Sequence, residues 1–513
     1  RAHGGKMTDE IVLDSDNAEN IKIKIGDIED LTVEQVEEMG AQEAFEDGQI
    51  RIMPDGHPGK GSVVGFTMPV GDKVVPNTIG VDIGCGMFAA RLPGSADLYD
   101  WDHRAILDSA IRERVPVGRN VHENKSFHMH EDFPWEVCQR KVEEFNENSD
   151  FEDVEVDYGP EYFDDLMERI YGSTKKSKYV IDSVGTLGGG NHFIEIGEMQ
   201  NPGEREGYHL PEPFWVIVHS GSRNLGATIC SYWQEKAAVV QKADEIREHL
   251  AQFPSEYINF NPDEESDSEV LDWVLGAHGD FVNYEPIPRE ERERYKDELK
   301  ECVPENGKKG TDYDYLTGEY ARGYIADMIY AQTYASLSRR HMAESVLDAW
   351  FTEFFDGYFK DEEELPPEFR GDDLGFVEEI ESVHNYIDFE DQTIRKGATR
   401  AHDGERAIVP YNMRDGTLIV RGKGNGDWNN SINHGAGRVD SRGWAGNEIT
   451  QEEANEEIYE ADVFASIVPR DEAPHSYKNW EAIEKAMAPS AEIEERLEPL
   501  INIKAPTRYY DEE

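Results

Sequence analysis

Reactive side chains occur in short, glycine-rich or polar segments scattered from Met53 to Arg438, and that scatter limits the folds open to the chain. Sequential modules would each hold a fragment of a site, so the segments imply one large, interwoven domain. They are Gly80-Val81-Asp82-Ile83-Gly84-Cys85-Gly86, Gly188-Gly189-Gly190-Asn191-His192-Phe193-Ile194-Glu195, His219-Ser220-Gly221-Ser222-Arg223-Asn224, His384-Asn385, and Asn433-His434-Gly435-Ala436-Gly437-Arg438. No stretch between them is clean enough to be a linker, and no repeat of roughly 20–50 residues is present. The expectation is an α+β fold: a single large domain over residues 7–513, with a mixed β-sheet core and flanking helices. Arg1 to Lys6 precede Met7 and read as an extension.

Local patterns divide this domain. Thr32 to Phe45 reads as a short helix opened by a Thr32 and Gln35 capping pair. From Ile50 to Pro93, β-branched runs at Ser62-Val63-Val64, Val74-Val75 and Thr78-Ile79-Gly80-Val81 read as short strands. Tyr99 to Tyr171 is mainly helical in pattern, and Val180 to Met199 returns to glycine-punctuated strand. Phe214-Trp215-Val216-Ile217-Val218 is a buried strand candidate with His219 at its polar tip. Cys230 to Leu250 and Glu319 to Phe355 carry helical spacing, and the Met and Tyr stripe of the second reads as core. Val377 to Val439 alternates strand and turn, and Trp480 to Leu497 reads as helix. Two acidic stretches, about 143–161 and 253–313, read as surface insertions, the second with a helix from Pro288 to Cys302.

Charge narrows the setting. The 513 residues hold 51 Lys+Arg against 108 Asp+Glu, a formal net charge of −57, spread from end to end. A hydrated carboxylate surface stays soluble in molar salt and repels itself in dilute salt, so the chain reads as that of a halophile. At ~1 M salt the Debye length is roughly 3 Å. Net charge is then a weak veto on a nucleic-acid partner, because only close contacts matter. Four dispersed cysteines, Cys85, Cys138, Cys230 and Cys302, are no disulfide framework and point to a reducing, cytoplasmic compartment. No signal-peptide pattern and no apolar run of about 18 residues is seen, so no membrane partner is expected.

Each segment has its chemistry and its bland alternative. Asp82 and Cys85 pair a hard with a soft donor three residues apart, which suits a borderline divalent metal; a buried free cysteine beside a turn aspartate is the alternative. The glycines before His192 free a backbone to wrap phosphate, or make only a flexible turn. His219 stands where an apolar strand gives out, a frequent place for a ligand, or is a satisfied core histidine. His384-Asn385 is weak alone. His434 lies among small residues ahead of Arg438, a planar fork for phosphate, and an imidazole there can attack phosphorus; a turn histidine is the alternative. Met53-Pro54-Asp55-Gly56-His57-Pro58-Gly59-Lys60-Gly61 lacks Walker spacing. Arg395-Lys396-Gly397-Ala398-Thr399-Arg400 reads as a basic cluster or a solvated turn. Asp82, Cys85, His192, His219 and His384 are too many donors for one open tetrahedral site. They suffice for two metals sharing a bridging sulfur, a known clamp for displacement at phosphorus.

Taken together, these motifs resemble the RtcB family of RNA-splicing ligases from about Ile50 to Lys504. The motifs are Met53-Pro54-Asp55-Gly56-His57, Val81-Asp82-Ile83-Gly84-Cys85-Gly86, Gly190-Asn191-His192-Phe193, His219-Ser220-Gly221-Ser222-Arg223, Arg395-Lys396-Gly397-Ala398 and His434-Gly435-Ala436-Gly437-Arg438. The resemblance implies a GTP-dependent ligase with two Mn2+ ions that joins an RNA 3′-phosphate or 2′,3′-cyclic phosphate to a 5′-hydroxyl end. It implies Cys85 as metal bridge, Asp82 and His192 completing one site, His219 and His384 the other, and His434 as the nucleophile that carries GMP. It implies guanylate contacts from Asn191, His192, Phe193, Glu195, His384, Asn385, Pro410, Met413, Thr417, His434, Gly435, Ala436, Gly437 and Lys504. Arg223 and Arg438 are candidates for RNA phosphate. Implied partners are RNA ends such as transfer-RNA halves, in splicing or repair, and an archease-type activator. Tyr411 and Asn412 depart from the family's common Gly-Ser, so Tyr411 is free to stack on a ring or narrow the pocket.

The rivals are a two-metal phosphohydrolase or end-processing enzyme, and a non-catalytic RNA-binding scaffold. The acid surface carries its own prediction. The thermal unfolding midpoint should climb from dilute to molar KCl as like-charge repulsion is screened; a midpoint indifferent to salt would contradict the halophilic reading.

Overall fold

A strand whose side chains are apolar on both faces must be covered on both faces, and Phe214 to Val218 forms such a strand. Phe214, Val216 and Val218 pack toward helices with Phe88, Ile194, Ile196, Met342 and Trp350. Trp215 and Ile217 pack on the opposite face with Met87, Phe193, Ile380, Ile408 and Ile419. The computed structural model describes residues 10–25, 28–93, 96–123, 127–200, 214–301, 303, 310–354, 376–439 and 449–506. Residues 1–6 lie outside the described residues, and so does Cys302.

Among the described residues the strands are β1 (Ile11–Leu13), β2 (Ile21–Ile23), β3 (Arg51–His57), β4 (Val64–Pro69), β5 (Gly86–Arg91), β6 (Phe193–Met199), β7 (Phe214–Ser220), β8 (Glu378–Val383), β9 (Asn385–Ile387), β10 (Thr393–Lys396), β11 (Ala398–Arg400), β12 (Arg406–Pro410), β13 (Thr417–Gly422), β14 (Ser431–Asn433) and β15 (Ala491–Ile503). The helices are α1 (Asp30–Gly40), α2 (Trp101–Arg114), α3 (Met129–Asp132), α4 (Trp135–Asn148), α5 (Pro160–Tyr171), α6 (Ser177–Asp182), α7 (Arg223–Leu250), α8 (Asp267–Val274), α9 (Arg292–Lys300), α10 (Gly318–Phe354), α11 (Gln451–Glu460) and α12 (Trp480–Met487). A seven-stranded sheet runs β12-β13-β15-β6-β7-β5-β8 and is antiparallel throughout. A six-stranded sheet runs β1-β2-β3-β4-β10-β9 and is mixed, since β2 and β3 are parallel. A two-stranded ribbon, β11-β14, lies beside them. Strands distant in sequence pair within each sheet, which gives the interwoven α+β single domain that the scattered segments require.

The long helix α10 is the spine. Tyr324, Tyr330, Tyr334 and Trp350 on it are fully buried, and the Tyr334 hydroxyl donates to Val180 O at 2.6 Å. This confirms its stripe as core. In the first acidic stretch Phe145, Val154 and Tyr158 are buried in the main core. In the second, Val270, Leu271, Phe281 and Leu299 form a small cluster with Ile246 and Leu250 at the end of α7. Among the described residues no helix is long and apolar enough to cross a membrane.

Four local expectations are corrected. Val180 to Asp182 ends helix α6, and the strand expected from Val180 begins only at Phe193. Helix α1 begins at Asp30 behind Glu29, with no side-chain cap, because Gln35 is used elsewhere: its amide exchanges two hydrogen bonds with the backbone of Gly59. Thr78 to Val81 is not a strand. Pro76 starts a 3-10 turn and Gly80 takes a left-handed φ of 88°, which proline's fixed φ and glycine's freedom allow. Trp480 to Leu497 is helix only to Met487, and Ala491 onward is the long strand β15, where pairing with both β13 and β6 outweighs helix propensity.

Candidate active site

The three sheets meet at one cavity of about 280 Å³. The antiparallel register sets His219 opposite both Met87 and Phe193, so its imidazole leaves β7 on the face opposite α10. Cys85 enters just before β5, in a turn where the Gly84 N–H donates to Asn385 O at 2.8 Å and the His384 N–H to Cys85 O at 2.9 Å. Gly84 takes a left-handed φ of 72°, and a Cβ there would lie 2.7 Å from the Gln332 Cα. Asp82 packs on bare Gly221, where any Cβ would overlap its carboxylate.

The five expected metal donors converge. Cys85 Sγ lies 3.6 Å from His192 Nε2 and 3.4 Å from His219 Nε2. His192 Nε2 is 2.8 Å from Asp82 Oδ2, and His219 Nε2 is 3.3 Å from His384 Nε2. Two three-donor clusters result, Asp82-Cys85-His192 and Cys85-His219-His384, each with its atoms within 4.8 Å of one another. The far ring nitrogens are oriented by backbone: His192 Nδ1 contacts Leu187 O at 3.0 Å and His219 Nδ1 contacts Asn191 O at 3.1 Å. Each Nδ1–H donated to a carbonyl leaves its Nε2 lone pair facing the sulfur. Burial first, then neighbouring imidazoles, hold His219 and His384 well below the ordinary histidine value, so both are neutral donors. Burial and the Asp82 carboxylate push the Cys85 thiol up. Neutral nitrogens, a carboxylate and a thiol crowded in a buried pocket fit divalent cations, whose charge favours the thiolate.

Arg339 holds these donors from behind. Its guanidinium is fully buried and donates to Gly84 O at 2.6 Å and Ser220 O at 2.8 Å, the carbonyls next to Cys85 and His219. Glu381 Oε1 accepts from the other two nitrogens. One side chain on α10 therefore fixes the spacing of the two segments that meet at the sulfur.

His434 follows β14 and stands apart from the clusters, with its ring centroid 4.9 Å from that of His384. Its Nδ1 lies 2.7 Å from Oδ2 of fully buried Asp55, which also accepts from the Gly435 N–H at 3.1 Å. The contact is close but not aligned as a hydrogen bond, so Asp55 confines the ring by packing against its Nδ1 edge. Gly437, at φ 73°, packs on the Asp55 backbone where a Cβ would collide.

Asn191, Phe193, Glu195, His384, Asn385, Pro410, Met413, His434, Gly435, Ala436, Gly437 and Lys504, all expected around a guanylate, line this one cavity, whereas His192 and Thr417 stand behind it. Thr417 Oγ1 donates to Glu195 Oε1 at 2.9 Å, and Asn502 Nδ2 donates to Glu195 Oε2 at 3.0 Å. Burial raises the Glu195 carboxyl to about 7 against those bonds. The Asn385 amide bridges Asp82 O and the Gly397 N–H. Tyr411 lines the wall, and its hydroxyl is anchored on Glu484 at 3.1 Å.

The cations differ from expectation. Arg395 and Lys396 are neither a solvated turn nor an open basic patch. Arg395 is fully buried between Asp388 and Asp391. Lys396 donates to oxygens of Lys60, Ser62 and Asn77, and burial lowers it to about 8. Arg223 donates to Gly118 O at 2.7 Å and Thr186 Oγ1 at 3.2 Å. Arg438 lines the cavity and donates to Glu472 Oε1 at 3.2 Å and Asp471 O at 2.6 Å. Glu472 Oε2 also accepts from Lys504 Nζ at 3.0 Å. Sequence reasoning did not assign roles to Asp55, His57, Arg339, Glu472 or Asn502. In a chain with 108 acidic residues neither carboxylate stands out; the glycines beside Asp55 and His57 were the available signal.

An α+β domain with two donor clusters on one sulfur, and a restrained imidazole on the same cavity, has the layout of a metal-dependent enzyme. The family is given by comparison. A family model described as tRNA-splicing ligase RtcB matches residues 35–266 and 293–505, and the chain belongs to that family. The chain is 28% identical over 461 residues to the RNA-splicing ligase RtcB of Escherichia coli strain K12, covering 89% of this chain and 90% of that protein. It is 25% identical over 479 residues to the tRNA-splicing ligase RtcB of Archaeoglobus fulgidus, covering 83% and 81%.

Replacing Arg339 by Met should weaken Mn2+ binding by about tenfold or more, read by calorimetric titration of the apo protein, with circular dichroism near wild type. His384→Ala should weaken divalent-cation binding at the Cys85-His219-His384 cluster. Unchanged affinity and stoichiometry in both variants would show that these residues do not build the centre.

Proposed function

We propose that the protein is a GTP- and Mn2+-dependent RNA ligase that joins a 3′-phosphate or 2′,3′-cyclic phosphate end to a 5′-hydroxyl end in transfer-RNA splicing or RNA repair. The observation that carries this reading is His434, an imidazole outside both donor clusters and restrained by Asp55, opening on the same cavity as those clusters and Glu195.

Two Mn2+ ions held by Asp82, Cys85, His192, His219 and His384 would neutralise phosphate charge on both sides of each displacement. His434 Nε2 attacks the α-phosphorus of GTP, forming an N–P bond as pyrophosphate leaves. Asp55 at Nδ1 stabilises the cationic ring that this step creates and keeps Nε2 directed into the cavity. Water first opens a 2′,3′-cyclic phosphate to the 3′-phosphate; an RNA 3′-phosphate oxygen then takes the GMP from His434, breaking the N–P bond. Phosphate monoester oxygen is a poor leaving group, and the GMP cap supplies a good one. The 5′-hydroxyl oxygen attacks the capped phosphorus, loses its proton and expels GMP, leaving a phosphodiester.

Glu195 suits guanine, whose N1–H and N2–H would donate to its two oxygens. Lys504, 5.0 Å above the Phe193 ring, closes the same end. Arg438, neutralised by Glu472 and mostly buried, supports the nucleotide side as much as an RNA phosphate.

Incubation with α-labelled GTP and Mn2+ should give an acid-labile protein–GMP adduct that is absent in His434→Ala and reduced in Asp55→Asn. No adduct in folded wild type would overturn the ligase reading in favour of hydrolysis. A second check follows from Glu195. Its carboxyl is protonated below about 7, and only the ionised form accepts both guanine donors. GTP affinity should therefore fall as pH drops through 7, approaching about tenfold per unit, with proton release on binding seen by calorimetry in buffers of different ionisation heat. Glu195→Gln should flatten this profile; an unchanged profile would move guanine recognition elsewhere.

A further inference from the structure

The basic surface outside the cavity lies beside the metal centre. Residues 169–181 contain Arg169, Lys175, Lys176 and Lys178 and no carboxylate, and residues 115–122 contain Arg119 and no carboxylate. In a chain with twice as many acids as bases such stretches are conspicuous, and the fold bonds the second to the segment that directly follows the first. The Gly118 N–H donates to Gly188 O at 2.7 Å, and the His122 N–H donates to Asp182 O at 3.0 Å. Arg223 fastens the pair through Gly118 O and Thr186. Tyr171, at the end of α5, contacts Asn224 and Thr228 at the start of α7 through its hydroxyl, so the turn holding Lys175 and Lys176 leaves the body next to Arg223.

Arg223 links this surface to the chemistry. A Cβ on Gly188 would collide with the Arg223 guanidinium and lie 3.0 Å from His192 Nδ1, so guanidinium and metal-ligating imidazole are separated by little more than a bare glycine. Asp82 and Tyr179 are both near enough to act on Arg223 electrostatically. Arg119, Lys175 and Lys176 are exposed and Tyr179 is 39% exposed. Arg169 is held by Asp327, and Lys178 pairs with Asp182. Exposed cations beside an exposed aromatic ring suit a single nucleic-acid strand, whose backbone takes the charges and whose base takes the ring. At high salt only such close contacts survive screening.

We propose that Arg119, Lys175, Lys176, Lys178 and Tyr179, leading to Arg223, form a track for the RNA strand that enters the centre on its Asp82 and His192 side. This rests on the ligase reading, and it assigns the path of the substrate outside the cavity. The strand's phosphodiesters lie on the lysines and Arg119, one base stacks on Tyr179, and its terminal group reaches the Asp82 and His192 donors.

The test uses the full chain and two single-stranded RNA oligonucleotides, one ending in a 3′-phosphate and one in a 5′-hydroxyl. The variant Arg119→Ala/Lys175→Ala/Lys176→Ala should bind at least one of them about tenfold more weakly, and the slope of log affinity against log salt should shrink by about 2. Its sealing KM for RNA should rise while kcat and the yield of the His434–GMP adduct stay at wild type. Lys175→Arg/Lys176→Arg should bind as wild type does. Wild-type affinity and salt slope in the alanine variant for both oligonucleotides would overturn the track. Equal loss of adduct and of RNA binding would also overturn it, as a folding effect. Failure of the ligase reading appears separately, as no adduct in the wild-type protein.

Discussion

Everything in the site depends on the position of one sulfur atom. Cys85 Sγ is the atom common to both donor clusters, and its partners come from separate places: a turn before β5, the approach to β6, the end of β7 and the junction of β8 and β9. No local rule of helix or strand puts these together. The antiparallel register does, by setting Met87 and Phe193 opposite His219, and Arg339 completes it by binding the two carbonyls that flank the sulfur and β7. Because a buried guanidinium stripped of its acceptors would cost several kcal/mol, the arginine and both segments have to stay in register together.

Burial then sets the protonation of each group for its task. His219 and His384 are driven neutral, so they offer lone pairs. Glu195 is raised to about 7, so its charge responds to what donates to it. Asp55 faces His434, and Glu472 faces both Lys504 and Arg438. On the cavity wall Asp55 is thus matched to His434 and Glu472 to Lys504 and Arg438, while Lys396 is held by Ser62 and backbone oxygens. Local pairing and global acidity are separate features, and at high salt only the first acts over distance shorter than screening allows.

Much of the centre was legible because its chemistry is concentrated in few residue types. Cysteine and histidine are scarce and specific, and Asp82, Cys85, His192, His219 and His434 all fell in segments where glycine marks close approach, whereas His384 stood in a lone His-Asn pair. The strand ending at His219 was legible from its apolar run. The supporting residues were not. Arg339 lies inside a helix whose pattern reads as core, and Asp55 and Glu472 resemble any other acid. Arg395 and Lys396 misled for the opposite reason: charge in a sequence reads as surface, whereas here three-dimensional pairing with Asp388, Asp391 and backbone oxygens buries it. Ala491 to Leu497 reads as helix by composition and is strand because two neighbours pair with it. The lysines after Gly172 carry no glycine-framed motif, and the placement of Tyr171, just before them, against the start of α7 exists only in the fold.

The most direct test of the shared-sulfur centre is anomalous diffraction from crystals grown with Mn2+. Two peaks are predicted, each at bonding distance from Cys85 Sγ, one also touching Asp82 and His192 and the other His219 and His384, with neither on His434. A single peak, or a second ion bound away from the sulfur, would contradict the account.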